Sequence, residues 1–260
     1  MNPFGKQIVA YLFLAGVAAG MALFGSFAAS SADPSQALGG RNAIAWAAAC
    51  SLAGALFLIG DLERPGDFGL ILLTANPASA IAWGARILVV FILSAFAVAL
   101  PPARPSAVDT AMLWILRAAA AGVAIYPAFV LRQAHAFPLW HGPVLVPLIA
   151  ISSLHAGACA VTVIGSRRGT TGSTRSAERV LGGLQLLLAL LFMLGAGSTA
   201  GAERPAAFWL LFVVLGTVLP LYWVVMRPAS AAAGRCALVV LGALALRYWL
   251  IAAGQSMHSL

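Results

Sequence analysis

Apolar runs of roughly twenty residues follow one another along the whole sequence, broken only by short connectors. About 20 apolar residues carry an α-helix across the hydrocarbon core of a bilayer. In lipid the backbone must satisfy its own N–H and C=O groups, so a spanning segment is a helix or part of a closed barrel. The runs predict roughly eight transmembrane helices, at 7–31, 42–60, 80–100, 110–133, 141–164, 179–199, 206–226 and 235–254. Turn formers sit between them: Asp33-Pro34, Arg64-Pro65, Pro101-Pro102, Phe137-Pro138, Arg204-Pro205 and Arg227-Pro228. With 62% of its 260 residues hydrophobic and 8% charged, the protein has more apolar surface than a soluble core can use. The expected fold is all-α integral membrane, eight transmembrane helices arranged as two four-helix bundles, with nothing left over for a soluble domain.

The net charge of +8 comes mostly from arginine. Scattered between apolar runs, these arginines form no single stripe, which argues against nucleic acid. They instead suggest an orientation. One set of connectors holds Arg41, Arg104, Arg167, Arg168, Arg175, Arg179, Arg227 and Arg235. The other, with the N-terminus, holds Lys6, Arg64, Arg132 and Arg204. The richer set is expected on the cytoplasmic side of a bacterial inner membrane, which puts both termini in the periplasm. The apolar run Ile8–Ala29 exceeds the roughly 7–15 residues of a secretory signal, so it reads as a retained first helix. Cys50, Cys159 and Cys236 lie inside apolar runs, and no C-x-x-C occurs. The protein is therefore expected to hold no metal, and the thiols read as packing residues.

Glu63-Arg64-Pro65-Gly66-Asp67-Phe68 is echoed by Glu203-Arg204-Pro205-Ala206-Ala207-Phe208. The echo comes after a four-span offset, which preserves orientation and suggests two parallel bundles, 1–136 and 137–260. Gly201 stands where the first copy has Asp61, so chemistry is assigned to the first bundle and scaffolding to the second.

Charge at a membrane boundary is costly unless paired, and so marks a candidate site. The densest such stretch runs from Gly60 to Arg86. Asp61 reads either as an interfacial residue paired with Arg64 three positions on or as a proton acceptor beside a ligand. Arg86 and Arg247 lie too deep for loop charges, and with Asp61 they suggest an ionic cluster; Arg117 reads as an anchor snorkelling to the interface. Tyr11 and Tyr126 read either as interface aromatics or as hydrogen-bond donors to a ligand carbonyl. Pro127, just after Tyr126, frees a backbone carbonyl inside a span. His135 is either a proton relay or an exposed loop residue. His141 and His155 share one predicted span about 21 Å apart and cannot ligate one haem together; His155 reads as a packed or hydrogen-bonded residue.

Several motifs together resemble the NrfD/polysulfide reductase membrane-subunit family. They are Tyr11 with Gly16 and Gly20; Gly60-Asp61-Leu62-Glu63-Arg64-Pro65 with Phe68; Asn76-Pro77-Ala78-Ser79 with Trp83-Gly84-Ala85; Tyr126-Pro127 with Leu131; Pro138-Leu139-Trp140 with Pro143; and Leu246-Arg247 with Gly254. The resemblance implies a haem-free, quinone-reactive membrane subunit of a respiratory oxidoreductase, working with menaquinone or ubiquinone. Its partners would be a four-cluster ferredoxin-like iron–sulfur subunit and a molybdopterin catalytic subunit. The quinone's carbonyl partners would come from spans one and four, here Tyr11 and Tyr126. Some family members have histidine where Tyr11 stands, which leaves the proton path open. On this reading Asp61 and Tyr126 carry the chemistry, and Tyr11, Arg64, Arg86 and His135 line the quinone site.

The alternative is a proton channel or transporter without a redox partner, which the parallel echo and the intramembrane arginines would suit. No span in the first half, however, shows an interrupted centre with charges at mid-membrane.

Overall fold

The computed structural model describes residues 5–61, 66, 69, 79–100, 106–133, 138–166, 172–196, 205–226 and 232–256. Among them every regular element is helical. The long helices are α1 (Lys6–Ala29), α2 (Pro34–Gly60), α3 (Ala80–Ala99), α4 (Ser106–Gln133), α5 (Leu145–Ser166), α6 (Gly172–Ala196), a composite α7 and α8 (Ala232–Ser256). A single 3-10 turn, Pro138–His141, precedes α5. Among the described residues, eight helices are long and apolar enough to cross a membrane, as the sequence predicts.

Two helices begin well before their apolar runs. The expectation placed the second span at 42 and the sixth at 179, but α2 starts at Pro34 and α6 at Gly172. Hydropathy sees the apolar middle of a helix and misses a polar first turn. Pro34 opens α2, where a missing N–H costs nothing. The Asp33 carboxylate caps it by accepting from the Ser35 backbone N–H at 2.9 Å and from the Ser35 hydroxyl at 2.8 Å. These hydrogen bonds, the hydroxyl's first, hold the Asp33 carboxyl below the usual carboxylate range. Ser79 caps α3 in the same way, accepting from the Ala82 N–H at 3.3 Å.

The seventh span, α7, is irregular. It opens with one turn (Pro205–Ala207), widens into a π-helix (Phe208–Val218) and closes as an α-helix (Leu219–Met226). The Thr217 hydroxyl donates to the Phe212 carbonyl five residues back, at 3.0 Å.

Helix α1 is the hub. The central windows of α1 and α5 are each 67% buried, against 28% for α6, so these two form the middle of the fold. Small residues make this possible. Gly20 of α1 and Gly157 of α5 meet backbone to backbone; a Cβ on Gly157 would stand 2.2 Å from the Gly20 carbonyl carbon. Gly25 and Gly40 do the same for α1 and α2, and Gly216 and Gly242 for α7 and α8. Close approach through small residues holds helices together where lipid removes the hydrophobic drive. One apolar cluster gathers α1–α4 with faces of α5 and α8. A second is built around Trp140, Phe192, Phe208, Phe212 and Trp249.

Polar staples complete the packing. Arg41 on α2 pairs with Asp109 on α4 and donates to the Val98 carbonyl of α3 at 2.6 Å. Arg117, read from the sequence as an interfacial anchor, reaches the end of α1. It donates to the Ser26 hydroxyl and carbonyl, each at 3.0 Å, and to the Ser30 hydroxyl at 2.7 Å. Its guanidinium also lies between the rings of Phe27 and Trp114. Arg235, expected as a connector charge, is 1% exposed inside α8 and forms an ion pair with Glu178 of α6. It therefore leaves the orientation count, and the bias in lysine plus arginine narrows to seven against four.

Candidate functional site

Tyr11 and Tyr126 come together. Tyr11 stands on the second turn of α1 and Tyr126 near the end of α4, and their ring centroids are 6.5 Å apart at an interplanar angle of 46°. Both hydroxyl oxygens are buried, and neither has a hydrogen-bond partner among the described residues. A buried O–H without a partner costs free energy, so two of them side by side are unusual in a folded protein.

Glycines shape the surroundings. The Tyr126 ring lies against Gly84 of α3, where an added Cβ would stand 2.4 Å from the ring. Gly54 of α2 borders Tyr11, with its Cβ position 3.6 Å from the Tyr11 ring. The two phenols are thus held by the first four helices. The Trp83-Gly84-Ala85 motif matters here through its glycine, which no property of the residue alone announced. Gly84→Ala is expected to displace Tyr126 and destabilise the protein by about 1–3 kcal/mol, as overpacking does. Gly54→Ala, whose new methyl would meet nothing closer than 3.4 Å, is expected to be tolerated. Thermal melts of the two variants in detergent separate these outcomes.

Asp61 sits at the rim. It follows the last residue of α2, and its Oδ1 lies 3.0 Å from the position a Cβ on Gly5 would take. Gly5 precedes Tyr11 by six residues, roughly 9 Å along the helix axis. The carboxylate therefore shares the mouth of the bundle with the phenols without touching them.

Arg86 and Gly84 are two positions apart, about 200° around α3. Gly84 faces Tyr126, whereas the half-buried Arg86 lies over the Trp83 ring, 5.4 Å from its centroid. Neither phenol hydroxyl is hydrogen-bonded to it. Arg64 and His135 fall outside the described residues, as do Glu63-Arg64-Pro65 and Glu203-Arg204, whereas Pro205 of the second echo opens α7.

Arg247 departs from the ionic cluster expected of it. It is 2% exposed, and its partners are neutral: the Leu12 carbonyl at 3.2 Å, the Ala243 carbonyl at 2.8 Å, and the hydroxyls of Ser152 and Ser153 at 3.2 and 2.7 Å. Gly16 makes room for it; a Cβ there would stand 2.7 Å from the guanidinium. The arginine ties α8 to the α1 turn that follows Tyr11. Trp140, in the Pro138-Leu139-Trp140 motif, is also structural, since its indole N–H donates to the Leu250 carbonyl at 3.0 Å. His155 is hydrogen-bonded, as expected, with Nδ1 3.1 Å from the Gln185 side-chain oxygen.

Two cavities open elsewhere. One, of about 420 Å³, lies at the opposite end of α1 beside Gln36 and Thr174. The other, of about 460 Å³, is an apolar groove between α7 and α8 that reaches Val9.

Two likenesses to known proteins bear on this arrangement. The family model described as polysulphide reductase, NrfD, matches residues 1–258. The C subunit of polysulfide reductase from Wolinella succinogenes is 28% identical over 310 residues, covering 96% of this protein and 93% of that one.

Proposed function

This protein belongs to the NrfD polysulphide reductase family, and from that membership we propose that it is the membrane subunit where a quinone or quinol from the bilayer exchanges electrons with a partner. The partner is an iron–sulfur subunit that serves a molybdopterin catalytic subunit. The eight apolar helices make it a multi-pass membrane protein. We place it in a bacterial inner membrane with both termini periplasmic, the first bundle (1–136) carrying the site and the second (137–260) supporting it.

The observation that carries this reading is the pair of buried phenol hydroxyls, which have no acceptor of their own. A ligand with an apolar ring and carbonyl oxygens fits such a pair: the aromatic faces receive the ring, and the two O–H groups donate to oxygen. When bound, a quinone supplies reversible two-electron, two-proton chemistry. The protein's own residues do the rest. Tyr11 and Tyr126 hold and orient the oxygens, Gly84 and Gly54 fix where those phenols stand, and Asp61 takes or returns protons at the mouth. Asp61 does so directly or through water. By the family resemblance Arg64, His135 and Arg86 are assigned to the same site.

The test is quinol turnover by the assembled complex. A net hydrogen bond of about 1–1.5 kcal/mol predicts roughly tenfold slower turnover for Tyr11→Phe and for Tyr126→Phe. Asp61→Asn is expected to slow turnover while assembly is unchanged. Undiminished turnover in an assembled Tyr11→Phe/Tyr126→Phe variant would overturn the assignment.

A further inference from the structure

The second half of the protein buries a separate cluster. Cys159 of α5, Glu178 of α6 and Cys236 of α8 are all buried, and one donor atom from each lies within 4.8 Å of the others. They come from three different helices and, in the cysteines' case, from positions far apart in sequence. Behind the carboxylate stand two further groups. Arg235 donates to Glu178 Oε2 through Nε at 3.1 Å and Nη2 at 2.9 Å, and the Thr162 hydroxyl bonds to Oε1. Arg235 Nη1 is buried and has no partner among the described residues.

We propose that Cys159, Cys236 and Glu178 form a binding site for a thiophilic divalent ion of the zinc class. Three arguments support it. The first is geometric. Zinc–sulfur bonds of about 2.3 Å and zinc–oxygen bonds of about 2.1 Å set tetrahedral donors roughly 3.4–3.8 Å apart. The observed spread, at most 4.8 Å, therefore needs no more than about 1.4 Å of closure, within the reach of side-chain rotation. The second is charge. Without the ion, two neutral thiols and the Glu178–Arg235 pair sum to zero. With it, two thiols release their protons to solvent, two metal–sulfur bonds form, and two thiolates balance the divalent ion. No electron moves, and the set is electroneutral in both states, which an apolar interior demands. A deprotonated sulfur also offers the orphaned Arg235 Nη1 an acceptor. The third is orientation. The Arg235 and Thr162 hydrogen bonds fix the carboxylate from behind, as outer partners do in metal sites.

The three residues lie at one level. Cys236 is four residues into α8, Glu178 six residues into α6, and Cys159 seven residues from the end of α5, so each is about 6–10 Å from the same end of the bundle. An ion reaching this rim has less than two helical turns to travel. Bound there, it would cross-link α5, α6 and α8, on the opposite side from the phenols.

The experiment uses the purified complex, stripped with chelator, reloaded with zinc and washed. Wild type and Cys50→Ser are expected to retain about one zinc per molecule, and Cys159→Ser and Cys236→Ser roughly a tenth of that. Equal zinc in wild type and both serine variants, or none in wild type, would overturn the site. Should the serine variants fail to assemble, zinc-edge X-ray absorption on wild type decides. A two-sulfur shell near 2.3 Å is expected, and a shell of nitrogen and oxygen alone would overturn the site.

Discussion

Glu178→Gln is expected to cost the folded protein about 3–5 kcal/mol, among the largest losses any single side-chain change here should cause. The variant keeps the shape of the residue and removes its charge. Arg235, at 1% exposure, would then be a cation in an apolar interior without its counter-ion. The Thr162 hydroxyl would also lose its anionic acceptor. Much of the penalty comes from stranding the arginine, more than from losing the attraction itself. It follows that Glu178→Leu with Arg235→Met should recover most of the loss, since replacing both members of a buried pair by apolar residues is often near neutral. Unfolding in detergent, followed for the single and double variants, tests this. A double variant as unstable as Glu178→Gln would show that the pair contributes through something other than mutual compensation.

Gly157→Leu is expected to be as damaging by a different route. Even a methyl at this position would stand 2.2 Å from Gly20's carbonyl carbon and 2.3 Å from its Cα. Backbone cannot rotate out of the way as a side chain can, so α1 and α5 must separate. Every contact between the two most buried helices would loosen at once, a loss at or above the upper end of the roughly 1–3 kcal/mol typical of overpacking. We expect little folded protein in the membrane. Gly183→Leu is the control, because an added Cβ there meets nothing within 4 Å. The yield of monodisperse protein after extraction reports both.

The number and type of the helices were legible because apolar run length is a one-dimensional property, and lipid leaves the backbone few choices. Helix starts were less so, because Asp33 and Pro34 build a polar first turn that an apolar window excludes. The glycines of α1 advertised close packing, but their spacing did not say that Gly20 would meet Gly157 and Gly25 would meet Gly40. Arg235 was misplaced for a related reason: its burial depends on Glu178, a residue 57 positions away that nothing local connects to it. The absence of C-x-x-C spoke only to neighbours in sequence, so it was silent on Cys159 and Cys236. Tyr11 and Tyr126 were candidates from their places in the spans and were joined in one role by motif resemblance, but their ring-to-ring approach had no local signature. The expected grouping of Asp61, Arg86 and Arg247 assumed that equal depth means contact. Around a helix, direction matters as much as depth, and Arg247 turns toward Ser152 and Ser153.

The guanidinium of Arg247 binds the carbonyl of Leu12, a residue 235 positions earlier. During synthesis, then, the opening helix must wait in the bilayer for the closing one. The closing helix in turn carries two buried arginines, Arg235 and Arg247, into a lipid where an arginine at the helix centre costs roughly 2.5–3.5 kcal/mol. Its entry is affordable only where Leu12, Ser153 and Glu178 are already waiting, so insertion and final docking of that last segment are one event.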